Sequence, residues 1–347
     1  MRRRTALAIV LTAPAAALAP TVADACGGLV GENGTIQLVR TTTLAAYHDG
    51  VERYVTSFEF TGEGESVGSI VPLPDVPTAV ERGGDWTLQR LAQEVAPAGE
   101  AAPEATTAAS ADSAGVEIVL ETQIDALDIT VLKGGGDEVG EWALDNGFLL
   151  SPDAPEVLDF YAERSPVFMA ARFDAVRARE LGQGAGDSTP IMATIPTDDP
   201  WVPVRILGLG LEPDRRVEAD VFLLTDDEPE LLAGGPGLSV ERSEEASALL
   251  LDDLRSDVGM EWVPDEMWLS YLTLDADAGE LDYDLAVSAR PGGEPSIVDA
   301  GVGPASAIPV SEAASSRAWW PPVVAGVAAG IAVLAGWTLT ARRRVLR

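Results

Sequence analysis

The sequence predicts an α+β protein, mainly antiparallel sheet with a few helices, followed by one C-terminal transmembrane helix. Three observations predict it. Long β-branched and alternating stretches recur from Thr35 to Ser288. The helical patterns between them are few and do not alternate regularly with strands, so a parallel βαβ sheet is not indicated. Finally, an uncharged apolar segment closes the chain.

The first strand region is Thr35–Thr43, free of breakers, and Asp49-Gly50 then supplies a favoured two-residue hairpin turn. Val51–Thr61 alternates, with Tyr54, Phe58 and Phe60 on one face and Arg53, Ser57 and Glu59 on the other. Ser69–Pro74 reads as a short strand. A helix is expected over Trp86–Val95, capped by Asp85. Ala96–Gly115 has prolines, Ser/Thr and many alanines with no apolar period, and reads as a disordered linker. Strand character returns at Val116–Leu120 and Leu127–Leu132. Helices follow at Asp137–Asn146, stopped by Gly147, and at Ala154–Arg164. Further strands are expected at Val167–Phe173, Ile191–Ile195, Val202–Leu207, Val217–Leu224, Met267–Leu274 and Leu281–Ser288, with a helix over Glu244–Arg255. The organisation is thus an N-terminal β-rich region (26–95), a linker (96–115), an α+β region (116–290) and a Pro/Gly/Ala/Ser-rich flexible stalk (291–318).

Both ends read as targeting segments. Arg2, Arg3 and Arg4 precede an apolar run from Ala6 to Ala19, and Ala23 and Ala25 form the small-residue pattern that places signal cleavage between Ala25 and Cys26. At the other end, Pro321 to Ala341 holds no charged residue. Those residues span roughly 31 Å as a helix, matching a hydrocarbon core of about 30 Å. Trp319 and Trp320 flank it on one side at the membrane interface, and Arg342, Arg343 and Arg344 on the other. Positive charge stays inside, so residues 342–347 form a cytoplasmic tail and the large N-terminal ectodomain lies outside. Gly326 and Gly330 form a G-x-x-x-G pair, a candidate helix dimer face.

Composition narrows the partners. The chain carries 56 acidic against 23 basic residues, a formal net charge of −33. Such a surface repels phosphate backbones, so no nucleic-acid partner is expected; the partners are the lipid bilayer and an extracellular ligand or protein. Cys26 is the single cysteine, which rules out an intrachain disulfide and leaves open its lipidation. With His48 the single histidine, zinc sites built from several His or Cys ligands are excluded.

No catalytic or cofactor-binding residue is nominated. Gly134-Gly135-Gly136 lacks the Gly-Lys-Ser/Thr of a P-loop, and Gly208-Leu209-Gly210 lacks the third glycine of a dinucleotide site. Asp275, Asp277 and Glu280 are the one metal candidate, because calcium takes clustered oxygens, although a polar hairpin turn between two strands accounts for them better and no metal ligand is nominated. The expected function is non-enzymatic binding or scaffolding at the cell surface. The alternatives are a carboxylate-based hydrolase of envelope polymers and a calcium-stabilised adhesion domain.

Several separated motifs carry a family resemblance: Ala25-Cys26-Gly27-Gly28, Ile70–Pro74, Asp145–Phe148, Ser165–Ala171 and Pro200–Ile206. With them the chain resembles a family of exported bacterial proteins classed as domain of unknown function 2330. The resemblance implies an extracytoplasmic, often membrane-anchored protein and no particular activity. Two positions depart from the family pattern: Leu29-Val30-Gly31 stands where a second cysteine is common, and Ser69 where a tryptophan is common.

Overall fold

The structure is a computed structural model that describes residues 28–31, 37–61, 66–96, 116–182, 189–290, 292–301 and 308–309. The strands are β1 (Gly28–Gly31), β2 (Gln37–His48), β3 (Val51–Thr61), β4 (Ser66–Leu73), β5 (Ala79–Arg82), β6 (Glu117–Ile124), β7 (Leu127–Lys133) and β8 (Val167–Asp174). They continue with β9 (Ile191–Pro196), β10 (Trp201–Val202), β11 (Arg216–Thr225), β12 (Glu230–Ala233), β13 (Leu238–Glu245), β14 (Trp268–Asp277), β15 (Leu285–Ser288) and β16 (Ile308–Pro309). The α-helices are α1 (Thr87–Val95), α2 (Gly136–Asp145), α3 (Ala154–Ala162), α4 (Ala175–Glu180) and α5 (Ala248–Ser256). The fold class is α+β, rich in sheet with few helices.

Three sheets form: β1-β4-β8-β7-β6, β10-β15-β12-β16 and the seven-stranded β13-β14-β11-β2-β3-β9-β5. Pairing is antiparallel except between β2 and β11. The largest core cluster draws Met169 and Ile129, Tyr54 and Val221, and Leu285 from the three sheets respectively. The other face of the five-stranded sheet packs Ile70, Leu132 and Phe168 against Val139, Leu158 and Tyr161 of α2 and α3. The other face of the seven-stranded sheet packs Leu44, Val55 and Phe222 against α1 and α5. This explains why β8 and β11 are buried over most of their length and why Val167–Ala171 and Val221–Leu224 are apolar without interruption: strands covered on both faces lose the alternation of a half-buried strand. Strands of the N-terminal β-rich region and of the α+β region share two of these sheets, so the two regions fold as one body.

The β2–β3 hairpin turns as its sequence dictates. Asp49 and Gly50 both have positive φ, 53° and 77°, the requirement of a type I′ turn.

Four expectations are corrected. The expected strand Val202–Leu207 stops after Val202 and continues as a 3₁₀ turn over Arg205–Gly208. Its amides go to side chains instead of a ladder: Val204 and Arg205 donate to Asp284 at 2.6 and 3.0 Å, and Ile206 to the Tyr161 hydroxyl at 2.9 Å. The expected helix Glu244–Arg255 begins only at Ala248, because Ser247 caps it by accepting from the Leu250 amide, and Leu238–Glu245 pairs with β14. The start of the expected stalk is docked on the domain. Ala300 is fully buried and accepts from the Asp284 amide, and β16 pairs with β12. Residues 310–318, most of the expected linker (97–115), Cys26 and the expected span lie outside the described residues. Among the described residues no helix is long and apolar enough to cross a membrane.

The fourth correction concerns α1. Its N-cap is Trp86, whose side chain caps nothing, and Asp85 does not cap it either. The cap comes from far along the chain. Asp257, 2% exposed, accepts from the amides of Asp85 and Trp86 at 3.0 Å and from the Thr87 hydroxyl at 2.8 Å. An acid at a helix N-terminus satisfies donors that would otherwise be buried unpaired and lies at the favourable end of the helix dipole. Asp257→Ala is expected to lower unfolding free energy by about 2–4 kcal/mol, measured by denaturant titration. Asp85→Ala is expected to leave it within about 0.5 kcal/mol.

Candidate ligand-binding site

On the helix-covered side of the seven-stranded sheet, Arg53 projects from β3 beside Thr194 of β9, its cross-strand partner. Met192 and Thr194 of β9 and Glu81 and Arg82 of β5 complete a floor. Residues 258–262 fold over it as a wall. Asp257 anchors the start of that wall through α1 and through the Val258 amide. Gly259 then passes close to β5: its φ is +81°, and a Cβ there would come within 2.8 Å of the Arg82 carbonyl oxygen. Only glycine meets both demands without strain. The cleft so enclosed measures about 510 Å³, within the size range of small-molecule sites.

The Arg53 guanidinium lies over the Trp262 ring, 4.4 Å from its centroid. Its Nη1 and the indole Nε1 of Trp262 are both buried with no hydrogen-bond partner. Burial pulls the Arg53 pKa down, and the Asp49 carboxylate partly offsets this. Arg82 differs, for it is ion-paired with Asp85 and Asp125, each at 3.0 Å. Glu81 and Glu261 also line the cleft, both exposed. Val258, an exposed hydrophobic, stands at the edge with Met192 and Trp262 to offer apolar contact.

The opposite face of β3 carries a second unusual group. Glu52 is fully buried, and neither carboxyl oxygen has a hydrogen bond of good geometry. Burial pushes its pKa up to about 8, opposed only weakly by the Trp201 amide. The group is therefore protonated in the folded chain at neutral pH.

The residues singled out from sequence are scattered over the fold. Asp275 and Asp277 sit at the end of β14, where Arg216 reaches both, at 2.5 and 3.4 Å. Glu280 accepts from the Asp277 amide at 3.3 Å and closes a 3₁₀ turn. The two aspartates thus face a guanidinium across the β11–β14 pair. His48 lies at the hairpin end, its Nδ1 2.6 Å from Asp226 and its Nε2 3.4 Å from Asp49. These three could gather around a cation. Gly134-Gly135-Gly136 leads from β7 into α2, with Gly135 as its N-cap, and Gly208–Gly210 closes the 3₁₀ turn. Ala25, Cys26, Gly326, Gly330, Trp319, Trp320 and Arg342–Arg344 lie outside the described residues.

Sequence reasoning missed the cleft. Alternation puts Arg53 on the polar face of β3, the face expected to meet solvent. The wall that covers it comes from more than 200 residues downstream.

A family model matches residues 20–225, more than half of the chain. The chain belongs to DUF2330, described as an uncharacterized protein conserved in bacteria. The matched part of this DUF2330 chain contains the cleft floor, including Arg53, while the Trp262 wall lies beyond it. No curated protein matches. Among solved structures, baculovirus P35 is 10% identical, covering 74% of this chain and 95% of that one at a TM-score of 0.38. A mutated P35 after caspase cleavage is 9% identical, covering 72% and 96% at 0.32. Likeness at this level carries no argument.

Glu52 yields a pH prediction. Between about 4.5, its ordinary value, and about 8, the unfolded state has lost the Glu52 proton while the folded state keeps it. Stability contributed at this site therefore falls as pH rises through that window. Glu52→Gln should gain on the native chain by roughly 1 kcal/mol per pH unit between pH 5 and 8, then level off. Parallel denaturant titrations across that pH range would check this, and a constant difference would contradict it.

Proposed function

We propose that this chain is an exported protein whose folded domain is held at the outer face of a membrane by residues 319–341 and binds a ligand in the Arg53–Trp262 cleft without turning it over. Support for the tether comes from the signal-like N-terminus and the uncharged span with its indole and guanidinium flanks. One observation carries the binding reading: a cleft of ligand size is lined by a half-buried arginine that, among the described residues, has no ion pair. A partly buried charge without a counter-ion is costly to desolvate. Such a cost is tolerated at functional sites, where a ligand of opposite charge removes it.

A hydrolytic reading has one observation in its favour, the presence of Glu81 and Glu261 on the same cleft. Both side chains are exposed, whereas a general acid working near neutral pH needs a shielded carboxyl.

In whole cells, external protease is expected to degrade the bulk of the chain, and the intact chain is expected to stay with the membrane pellet after an alkaline wash. Recovery of intact chain in the soluble pool would contradict the tether. Cleavage of an envelope polymer by the purified chain, lost in Glu81→Gln, would select the hydrolytic reading.

A further inference from the structure

If the cleft is a binding site, as proposed, its lining also constrains the chemistry of the ligand. Arg82 Nε, buried without a hydrogen bond, is ion-paired with Asp85, so among the described residues the cleft's buried polar atoms with neither kind of partner are Arg53 Nη1 and Trp262 Nε1. Both are donors only; a guanidinium and an indole have no acceptor to give. Of the side-chain acceptors that line the cleft, Glu81 and Glu261 are exposed and neither is paired with Arg53, and the Thr194 hydroxyl is neutral. The cleft interior is therefore short of acceptors, in a protein that elsewhere has acids in large excess.

A cationic ligand would find Arg53 opposing it and no buried acceptor. A neutral ligand would leave the guanidinium charge uncompensated. A multiply charged anion would meet the field of a chain with formal charge −33 and the two rim glutamates. A single carboxylate satisfies the guanidinium with least repulsion, and its planar pair of oxygens fits the guanidinium fork. The remaining lining adds a second requirement. Met192, Val258 and Trp262 supply an apolar and aromatic surface, and 510 Å³ exceeds what a lone carboxylate needs.

We infer that the cleft takes a monocarboxylate joined to an apolar or aromatic body, with the carboxylate on the Arg53 guanidinium and the body against Met192, Val258 and the Trp262 ring. Two sources present this chemistry, a free carboxylic acid and the C-terminus of a peptide. Arg53 is a binding residue here, and no covalent step is involved.

The test uses the full-length chain in a non-ionic detergent and titration calorimetry. The probes are 3-phenylpropionate, 3-phenylpropanamide, 3-phenylpropylamine, and a peptide ending in Phe with a free or an amidated C-terminus. The carboxylate is expected to bind roughly tenfold to hundredfold more tightly than the amide, and the amine not measurably. Arg53→Gln should erase that preference. The substitution removes no ion pair, so the variant should fold, as an unchanged melt would show; Arg53→Lys should restore part of the preference. Tighter binding of the free-ended peptide than of the free acid assigns the ligand to peptide ends, and the reverse to small acids; either supports the inference. Equal binding of acid and amide, or an acid preference that survives in Arg53→Gln, overturns the carboxylate assignment and leaves the cleft as a binding site. Absence of binding by every probe overturns both.

Discussion

The structure is governed by a shortage of positive charge. With 56 acids and 23 bases, a buried acid cannot count on a cationic partner, and a buried cation is readily claimed by an acid. The centre of this arrangement is the pair Arg164–Asp284, 2.5 Å apart with Asp284 fully buried and Arg164 7% exposed. Asp284 also accepts from Tyr161, Val204 and Arg205, while Arg164 donates to the Asp299 carbonyl and lies over Phe160. Desolvating two ions is offset only when the remaining bonds are supplied in this way. One ion pair thereby ties together α3, the 204–208 turn, the approach to β15 and the 292–301 segment.

Two other buried acids show what happens without a cation. Asp257 is satisfied by backbone and hydroxyl donors, and so becomes the cap of a helix 170 residues away in sequence. Glu52 has only the Trp201 amide to oppose its desolvation and keeps its proton instead. These are three solutions to one problem: pair the charge, surround it with N–H groups, or neutralise it. Arg53 presents the converse problem. It is a cation in an acidic protein, partly buried, and among the described residues no acid is ion-paired with it.

Much of the fold was legible because its signals are local. β3 matches its expected bounds, Val51–Thr61, since alternation and the Asp49-Gly50 turn act over a few residues. α2, α3 and β7 were legible for the same reason. The errors fall where a distant side chain overrides local preference. Val204–Ile206 looks like strand, yet its amides are taken by Asp284 and Tyr161. Residues 292–301 look like linker, yet Arg164 and Asp284 hold them. Asp85 is well placed to cap α1, yet Asp257 does so. Because Arg53 and Trp262 meet only through tertiary folding, the candidate site left no motif to be read. The acidic composition that makes an unpaired arginine informative, in contrast, was plain from the start.

In the proposed reading Arg53 serves binding, while Arg164 holds the fold together. The most direct measurement compares the thermal melts of Arg53→Met and Arg164→Met, each keeping an unbranched apolar stem. Losing Arg164 strands Asp284 in the core and should lower Tm on the order of 5–15 °C. Losing Arg53 should leave Tm unchanged or slightly raised, since an uncompensated charge is removed. A drop for Arg53→Met as large as that for Arg164→Met would contradict this division of roles.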